Sequence, residues 1–164
     1  MLLAAALAVA ALQSDADLNE KARFGSVISG DSILRCSSTS PWDEPEFHLS
    51  LLGPGHDPFA FHTAEEDRPW VQIDLGRARQ VTGIAIANRS DGNGGRTRGL
   101  AISISTDAIA WNEVASVSGP KADWSVSLLE GDRPREARYV RITLSERGYL
   151  HLNRVRVYGR GGAG

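Results

Sequence analysis

The sequence predicts an all-β fold, an antiparallel sandwich or barrel, and three observations support this prediction. From residue 24 onward, apolar residues alternate with polar ones in short segments. Most of these segments are closed by turn-forming residues, and no stretch repeats its apolar residues with a helical period. Short alternating strands at regular spacing, with turns between them, are typical of β-sandwiches and β-barrels.

The N-terminal residues are expected to lie outside the sandwich. Residues 2–12 form an apolar run that is too short to span a bilayer. Ala8 and Ala10, followed by a polar stretch, resemble the end of a secretory signal peptide, although no basic residue precedes the run. Residues 1–12 are therefore expected to be an export signal, with an ordinary N-terminal helix as the alternative. Residues 13–23 are expected to form a linker or one short helix.

Only weak strand patterns occur before residue 60. Residues 24–30 and 32–38 are two short strand-like segments around a Gly-Asp turn. Residues 40–58 contain four prolines, a density that few strands or helices tolerate. Cys36 is the only cysteine, which excludes an intramolecular disulfide, and it is expected to be a half-buried strand residue.

Stronger strand patterns begin at Trp70. The first of them alternates with period two and is expected to end at Gly76. The others cover residues 81–88, 100–106, 111–117, 124–129, 137–144 and 151–159, and the last contains a possible bulge. In the 137–144 segment, the even-numbered apolar residues should lie on one face and Tyr139, Arg141 and Thr143 on the other. The predicted sandwich covers residues 24–160, and residues 161–164 form a flexible tail.

Composition argues against several classes of function. The 164 residues, or 17.7 kDa, suit one domain, and a net charge of -2 offers no electrostatic reason to bind nucleic acid. Membrane insertion is not expected either. No nucleophile motif occurs, and the histidines and carboxylates between residues 48 and 66 lack the spacing of a metal site. Neither catalysis nor a metal site is therefore expected.

The most informative pattern is His62, followed after the intervening residues 63–88 by Arg89, Asp91 and Arg96. Imidazole and guanidinium groups can hydrogen-bond to the hydroxyls of a sugar, and a carboxylate can hold a guanidinium in place. Both segments fall in predicted loops, which can meet at one end of a sandwich if their strands are neighbours. Taken singly, these residues also have ordinary explanations as a solvated histidine and as turn residues.

This spacing resembles that of the F-type (fucose-binding) lectins. The segments WVQIDLG, LAISISTD and ARYVRI likewise resemble the discoidin, or galactose-binding-like, jelly roll. The resemblance implies a jelly-roll β-sandwich over about residues 32–159. It also implies that His62, Arg89 and Arg96 hydrogen-bond a fucose-like sugar, while Asp91 orients the arginines.

The resemblance further implies an apolar pocket for the methyl group of fucose. Phe59 and Phe61 are the nearest candidates for this pocket. Trp42 is a third candidate, but it is expected to lie in the core.

Two positions depart from the family pattern. Gly92-Asn93 stand where these lectins often have two adjacent cysteines that contact the sugar, so a softer loop with altered affinity or selectivity is expected. Arg154 stands where the family has a calcium-binding glutamate in its last strand, and a guanidinium repels calcium. The family calcium site is therefore expected to be absent, with Arg154 bridging the 48–57 loop as an internal cation.

The sequence thus predicts a secreted, periplasmic or cell-surface domain that binds a glycan or glycoconjugate without catalysis. A discoidin-like interaction or structural module that has lost sugar affinity is the alternative. A small metal-assisted hydrolase is a third and more remote possibility. The identity of the glycan and the oligomeric state stay open.

Overall fold

The structure is a computed structural model that describes residues 15–161. The export signal expected at residues 1–12 lies outside the described residues, as does the end of the expected tail, residues 162–164. Within residues 15–161, no helix has both the length and the apolar character needed to cross a membrane.

Strands make up most of the regular structure, and the predicted all-β antiparallel fold is confirmed. The strands of the described residues are β1 (Ser26–Val27), β2 (Ile33–Cys36), β3 (Phe61–His62), β4 (Glu66–Asp67), β5 (Trp70–Asn88), β6 (Gly99–Ser105), β7 (Asn112–Ser118), β8 (Asp123–Ser127), β9 (Arg135–Leu144), β10 (Arg147–Gly148) and β11 (His151–Gly159). Nine of them form one sheet with the order β1-β11-β5-β9-β6-β7, in which β2 and β8 also pair with β5, and β3 also pairs with β11. Strands β4 and β10 form a separate antiparallel pair.

Strand β5 joins the two layers of the sandwich. Its residues 70–74 pair with β2 on one side and β9 on the other, whereas residues 81–88 pair with β11 and β8. The sequence predicts two strands separated at Gly76, but β5 runs through this position without a break. Gly76 adopts a left-handed conformation with φ of 80°, and it lies within the register shift with β9 between Asp74 and Arg79. The glycine therefore bends one strand instead of ending it.

The core lies between the layers and is lined by β5, β6, β9 and β11. The predicted alternation in β9 is confirmed, because its buried apolar residues include Val140, Ile142 and Leu144. The predicted irregularity of the last strand is also present, as a register shift between Leu152 and Arg154.

The segment before the first strand is helical. Residues Asp15–Phe24 form helix α1, so of the two expectations for residues 13–23, a linker or one short helix, the structure has the helix from Asp15 onward. Phe24 is buried against Gly83 of β5, where a Cβ atom would come within 2.5 Å of its ring. The absence of a side chain at Gly83 therefore allows the helix to dock this closely on β5. The helix is also held by the Tyr158 hydroxyl, which donates a hydrogen bond to the Glu20 carboxylate at 2.7 Å.

The proline-rich segment contains a regular element that the sequence did not predict. Residues Pro45–Leu52 form a 3-10 helix, which buries Leu51 and Leu52 in the core. Cys36 is half-buried in β2 as predicted. Burial, assisted by the nearby Asp43 carboxylate, raises the pKa of the Cys36 thiol to about 12, so the residue is an unreactive thiol.

Strand β11 brings together the two segments that carry the predicted quartet. His151 and Leu152, at its start, pair with His62 and Phe61 of β3. Leu152 also pairs with Asn88, the last residue of β5. The loop that follows Asn88 therefore begins beside His62, at the same end of the sandwich.

Candidate functional site

A cavity of about 450 Å³ opens at this end of the sandwich. Its lining side chains come from four separate segments of the chain, and they are Trp42, Phe59, His62, Arg89, Arg96 and Tyr149. Three members of the predicted quartet thus face one cavity. The fourth member, Asp91, is not among the lining residues and hydrogen-bonds to Arg89.

The hydrogen bonds of His62 determine which of its nitrogens faces the cavity. Nδ1 lies 2.8 Å from the Thr63 carbonyl oxygen and 3.1 Å from the Ser40 hydroxyl. A carbonyl oxygen can only accept, so Nδ1 carries the hydrogen and Nε2 is the unprotonated nitrogen of the neutral ring. Burial, together with the Arg89 and Arg96 guanidiniums, lowers the His62 pKa below 6.5 despite the Thr63 hydrogen bond. At neutral pH this histidine therefore offers the cavity a hydrogen-bond acceptor.

Asp91 holds Arg89 through two parallel hydrogen bonds. Arg89 Nε donates to one carboxylate oxygen at 2.7 Å, and Nη2 donates to the other at 2.5 Å. The hydrogen bonds from Arg89 are the main cause of an Asp91 pKa far below its usual range. The Arg89 guanidinium also lies over the Phe59 ring, 4.8 Å from its centre, and only 6% of the Arg89 side chain is exposed. Its buried Nη1 has no partner within the described residues. Asp91 thus holds the Arg89 guanidinium in one orientation.

Arg96 ends a short 3-10 turn, Asn93–Arg96, in the same loop. The Asn88 side chain ties this loop to the sheet, because its Nδ2 donates to the Gly94 carbonyl at 2.9 Å and its Oδ1 accepts from the Thr97 hydroxyl at 3.2 Å. Arg96 forms no salt bridge in the part of the chain that the structure describes. Its guanidinium is thus a cation on the wall of the cavity without a carboxylate partner among residues 15–161.

The structure corrects two assignments of aromatic residues. Phe61 does not line the cavity: it is 1% exposed and belongs to the hydrophobic core, because neighbouring residues of β3 point to opposite sides. Trp42, expected in the core, is 60% exposed and lines the cavity. Phe59 lines the cavity, with its ring edge-on to that of His62 at a centre-to-centre distance of 5.0 Å.

Two residues of the site were not predicted from the sequence. Tyr149 lines the cavity, and its ring centre lies 5.4 Å from that of His62. His151 lies underneath, fully buried, with its ring centre 5.1 Å from that of His62. Burial, followed by the charge of Arg89, lowers the pKa of His151 to about 3, so its ring is neutral. The one sequence signal for Tyr149 is that it is an aromatic residue just before the start of the last strand.

At the expected calcium position, the Asp57 carboxylate forms hydrogen bonds to two side chains of the protein. Asp57 Oδ1 accepts hydrogen bonds from the Ser90 hydroxyl at 2.7 Å and from Asn153 Nδ2 at 2.8 Å. Arg154 does not bridge this loop as a cation; its guanidinium pairs with Asp17 of helix α1 at 3.6 Å. Asn153 ties the loop down instead, through the Asp57 contact and a hydrogen bond to the His56 carbonyl at 3.0 Å.

The histidines of residues 48–66 contact different partners and do not converge on one point. His48 pairs with Asp43, and the His56 ring stacks on Phe47 at 3.6 Å, whereas His62 faces the cavity. Across residues 15–161, no group of three or more His, Cys, Asp or Glu side chains is arranged to hold a metal ion.

Comparison with known proteins gives matches over most of the chain. The model of the family described as F5/8 type C domain matches residues 34–156. Fucolectin-6 of Anguilla japonica is 26% identical over 168 residues, which cover 96% of this chain and 88% of that protein.

Solved structures match the fold at a similar level. The lectin domain of lectinolysin, solved in complex with Lewis B antigen, has a TM-score of 0.67 at 25% identity and covers 83% of this chain and 98% of its own. The family 32 module of C. perfringens NanJ, solved with galactose, has a TM-score of 0.66 at 21% identity and covers 81% of this chain and 98% of its own. At that identity the second match concerns the fold alone.

Proposed function

Because the chain belongs to the F5/8 type C domain family, we propose that it is a carbohydrate-binding domain that recognises a fucose-like or related sugar without catalysing a reaction. The names of its relatives support this class of ligand, since they include a fucolectin and a lectin domain in complex with a Lewis antigen. The residues that would hold the sugar are the clamp, defined as His62, Arg89 and Arg96.

The observation that carries the proposal is the meeting of one acceptor and two cationic donors in a single cavity. A sugar hydroxyl can donate one hydrogen bond and accept others. A hydroxyl that donates to His62 Nε2 can therefore accept from a guanidinium at the same time, which strengthens both bonds. Asp91 holds Arg89 in one orientation before any ligand arrives, so less freedom is lost on binding.

Phe59 supplies the apolar side of this subsite. Its ring is fixed between the Arg89 guanidinium and the edge-on contact with His62. A deoxy sugar such as fucose would place its methyl group on this ring while its hydroxyls face the clamp. The burial of Phe61 leaves Phe59 as the phenylalanine that can make this contact.

A glycan array followed by calorimetry with L-fucose tests the proposal. Arg89→Ala and Arg96→Ala should each weaken binding by about tenfold or more, because each removes charged hydrogen bonds to the ligand. Arg98→Ala is the matched control: this arginine is 76% exposed, two residues from Arg96, and does not line the cavity. Absence of binding, or equal binding by all three variants, would favour an interaction or structural module instead.

We also propose that the domain acts outside the cytoplasm, with residues 1–12 as its export signal. The length of the apolar run and the small residues at its end support this proposal. The intact mass of the protein recovered from the periplasm or medium should match a chain that lacks this segment. Recovery of the uncleaved chain from the cytosol alone would contradict it.

A further inference from the structure

One arginine on the outer face of the sandwich, Arg141 of β9, has no carboxylate partner within residues 15–161. Its Nη2 donates a hydrogen bond to the side-chain oxygen of Gln72 at 2.7 Å. Its Nε is buried and has no partner among the described residues. Burial lowers the pKa of this guanidinium below its usual range. The fold thus removes a positive charge from water and gives it only a neutral amide oxygen in return.

A neighbouring arginine of the same strand shows the usual arrangement. Arg138 donates from Nε and Nη2 to the two oxygens of the Asp74 carboxylate, at 2.9 and 3.0 Å. This carboxylate raises the pKa of Arg138, whereas burial is the cause of the lowered pKa of Arg141. The arginine that is more strongly removed from water is therefore the one that lacks a counter-ion within residues 15–161.

Two indole rings fix the orientation of Arg141. Its guanidinium carbon lies 4.3 Å from the centre of the Trp70 ring and 3.9 Å from that of Trp111. The Trp111 indole donates a hydrogen bond to the Ala108 carbonyl at 3.1 Å, and the Trp70 amide donates to the Ser37 hydroxyl at 2.9 Å. A guanidinium held in this way loses little freedom on binding, and its planar set of N–H donors matches the oxygens of an anion.

A second arginine lies in the same row of the sheet. Cross-strand pairing runs from Arg35 through Gln72, Arg141 and Ser103 to Glu113, so these side chains share one face. Arg35 is exposed and forms no salt bridge in the part of the chain that the structure describes. Neighbouring strands lie about 4.8 Å apart, so Arg35 is about 10 Å from Arg141 across β5. The acidic member of the row, Glu113, lies at its opposite end on β7.

We propose that Arg141 and Arg35 form an anion-binding site on this face, which holds a carboxylate or sulfate group of an acidic sugar. The anion would accept hydrogen bonds from Nη1 of Arg141, which has no partner among the described residues and, unlike Nε, is not buried. The ligand then supplies the counter-ion that the chain gives to Arg138. The site shares no residue with the clamp cavity, so the inference goes beyond the proposed function and does not depend on it.

NMR spectra of the tryptophan indole N–H groups test this site, because Trp70 and Trp111 both contact Arg141. At constant ionic strength, methyl glucuronide, which carries a carboxylate, or glucose 6-sulfate should shift both indole signals. The neutral methyl glucoside should shift neither of them. A dissociation constant of about 1 mM is expected for one ionic contact at the surface of a sheet. The acidic sugar that binds more tightly identifies the preferred anion.

Substitutions connect the shifts to the two arginines. Arg141→Lys keeps the charge but loses the planar set of donors, so it should weaken binding of the acidic sugar by about tenfold. Arg35→Gln, at an exposed position of strand β2, should weaken it by about threefold. Arg160→Gln is the matched control, because this exposed arginine follows β11 in the other layer, and it should keep the wild-type affinity.

Three outcomes would overturn the inference. The first is the absence of shifts at Trp70 and Trp111, and the second is an affinity that neither Arg141→Lys nor Arg35→Gln changes. The third is a shift confined to the Trp42 indole and abolished by Arg96→Ala, which would place the anion in the clamp cavity. Thermal melting shows which variants fold, and Arg35→Gln decides the test if Arg141→Lys does not.

Discussion

Acidification should destabilise this domain through His151, the histidine beneath the site. Its side chain is fully buried, and neither ring nitrogen has a hydrogen-bond partner within residues 15–161. Burial is the main reason that its pKa falls from the usual 6.5 to about 3. The folded protein therefore keeps this ring neutral over a pH range in which the unfolded chain protonates it.

Proton linkage determines the sign and the size of the effect. Above pH 6.5, His151 is neutral in both states, and its contribution to stability does not change with pH. As the pH falls from 6.5 towards 3, only the unfolded chain takes up the proton, so the free energy of unfolding decreases by about 1.4 kcal/mol per pH unit. The loss caused by His151 should reach about 3 kcal/mol at pH 4.5 and about 4 kcal/mol at pH 3, where half of the folded molecules also carry the proton.

Urea unfolding of the wild type and of His151→Leu, at pH 7.5 and pH 4.5, measures this contribution. Leucine fills the position with an apolar side chain that does not titrate. Carboxylates with lowered pKa values, such as Asp74, titrate in both proteins and cancel in the comparison. The wild type should therefore lose about 3 kcal/mol more than the variant on acidification. Equal losses in the two proteins would refute a buried, neutral His151.

Other predictions concern the clamp and its surroundings. Sugar affinity should be constant above pH 6.5 and fall at lower pH, because protonation of His62 removes the Nε2 hydrogen-bond acceptor. Calorimetry from pH 8 to pH 5 measures this dependence. An affinity that rises on acidification would contradict the prediction. Asp91→Ala should weaken sugar binding about tenfold, because Arg89 loses its partner, while the melting temperature changes little at this partly exposed position. Phe61→Ala should cost about 3–5 kcal/mol in urea unfolding, whereas Phe59→Ala should chiefly lower affinity; the reverse pattern would show that the two rings are misassigned. Adding millimolar calcium should leave the melting temperature unchanged, and a rise of several degrees would reveal a calcium site.

The parts of the fold with a strong local pattern were predictable from the sequence. The alternation in β9 placed Val140, Ile142 and Leu144 on the same side, because a strand repeats every two residues whatever its surroundings. The continuity of β5 was not predictable in the same way. A glycine with a left-handed backbone can end a strand or bend it, and the pairing partners in space decide between the two.

The clamp was likewise easier to predict than the aromatic residues around it. His62 and Arg89 were identified by their chemistry and spacing. They lie close together because the start of β11 pairs with both β3 and the end of β5, and the strand pattern already predicted a strand that begins at residue 151. Phe59 and Phe61 look equivalent in the sequence, because β3 has only two residues and shows no period. Trp42 was misplaced because its turn is held by hydrogen bonds between His62 and the neighbouring Ser40 and Asp43, and not by a local apolar pattern.

The passage of β5 through both layers bears on how the binding site can fail. Residues 70–74 of β5 belong to one layer, while residues 81–88 end beside the clamp loop in the other. Because one unbroken strand serves both layers, neither layer can come apart without removing hydrogen-bond partners from the other. A destabilising substitution far from the cavity, for example at the pairing of β2 with β5, would therefore unfold a fraction of the molecules, and these molecules would lose the whole clamp. The molecules that stay folded would bind sugar with unaltered strength, so such damage lowers the number of working sites and not their affinity.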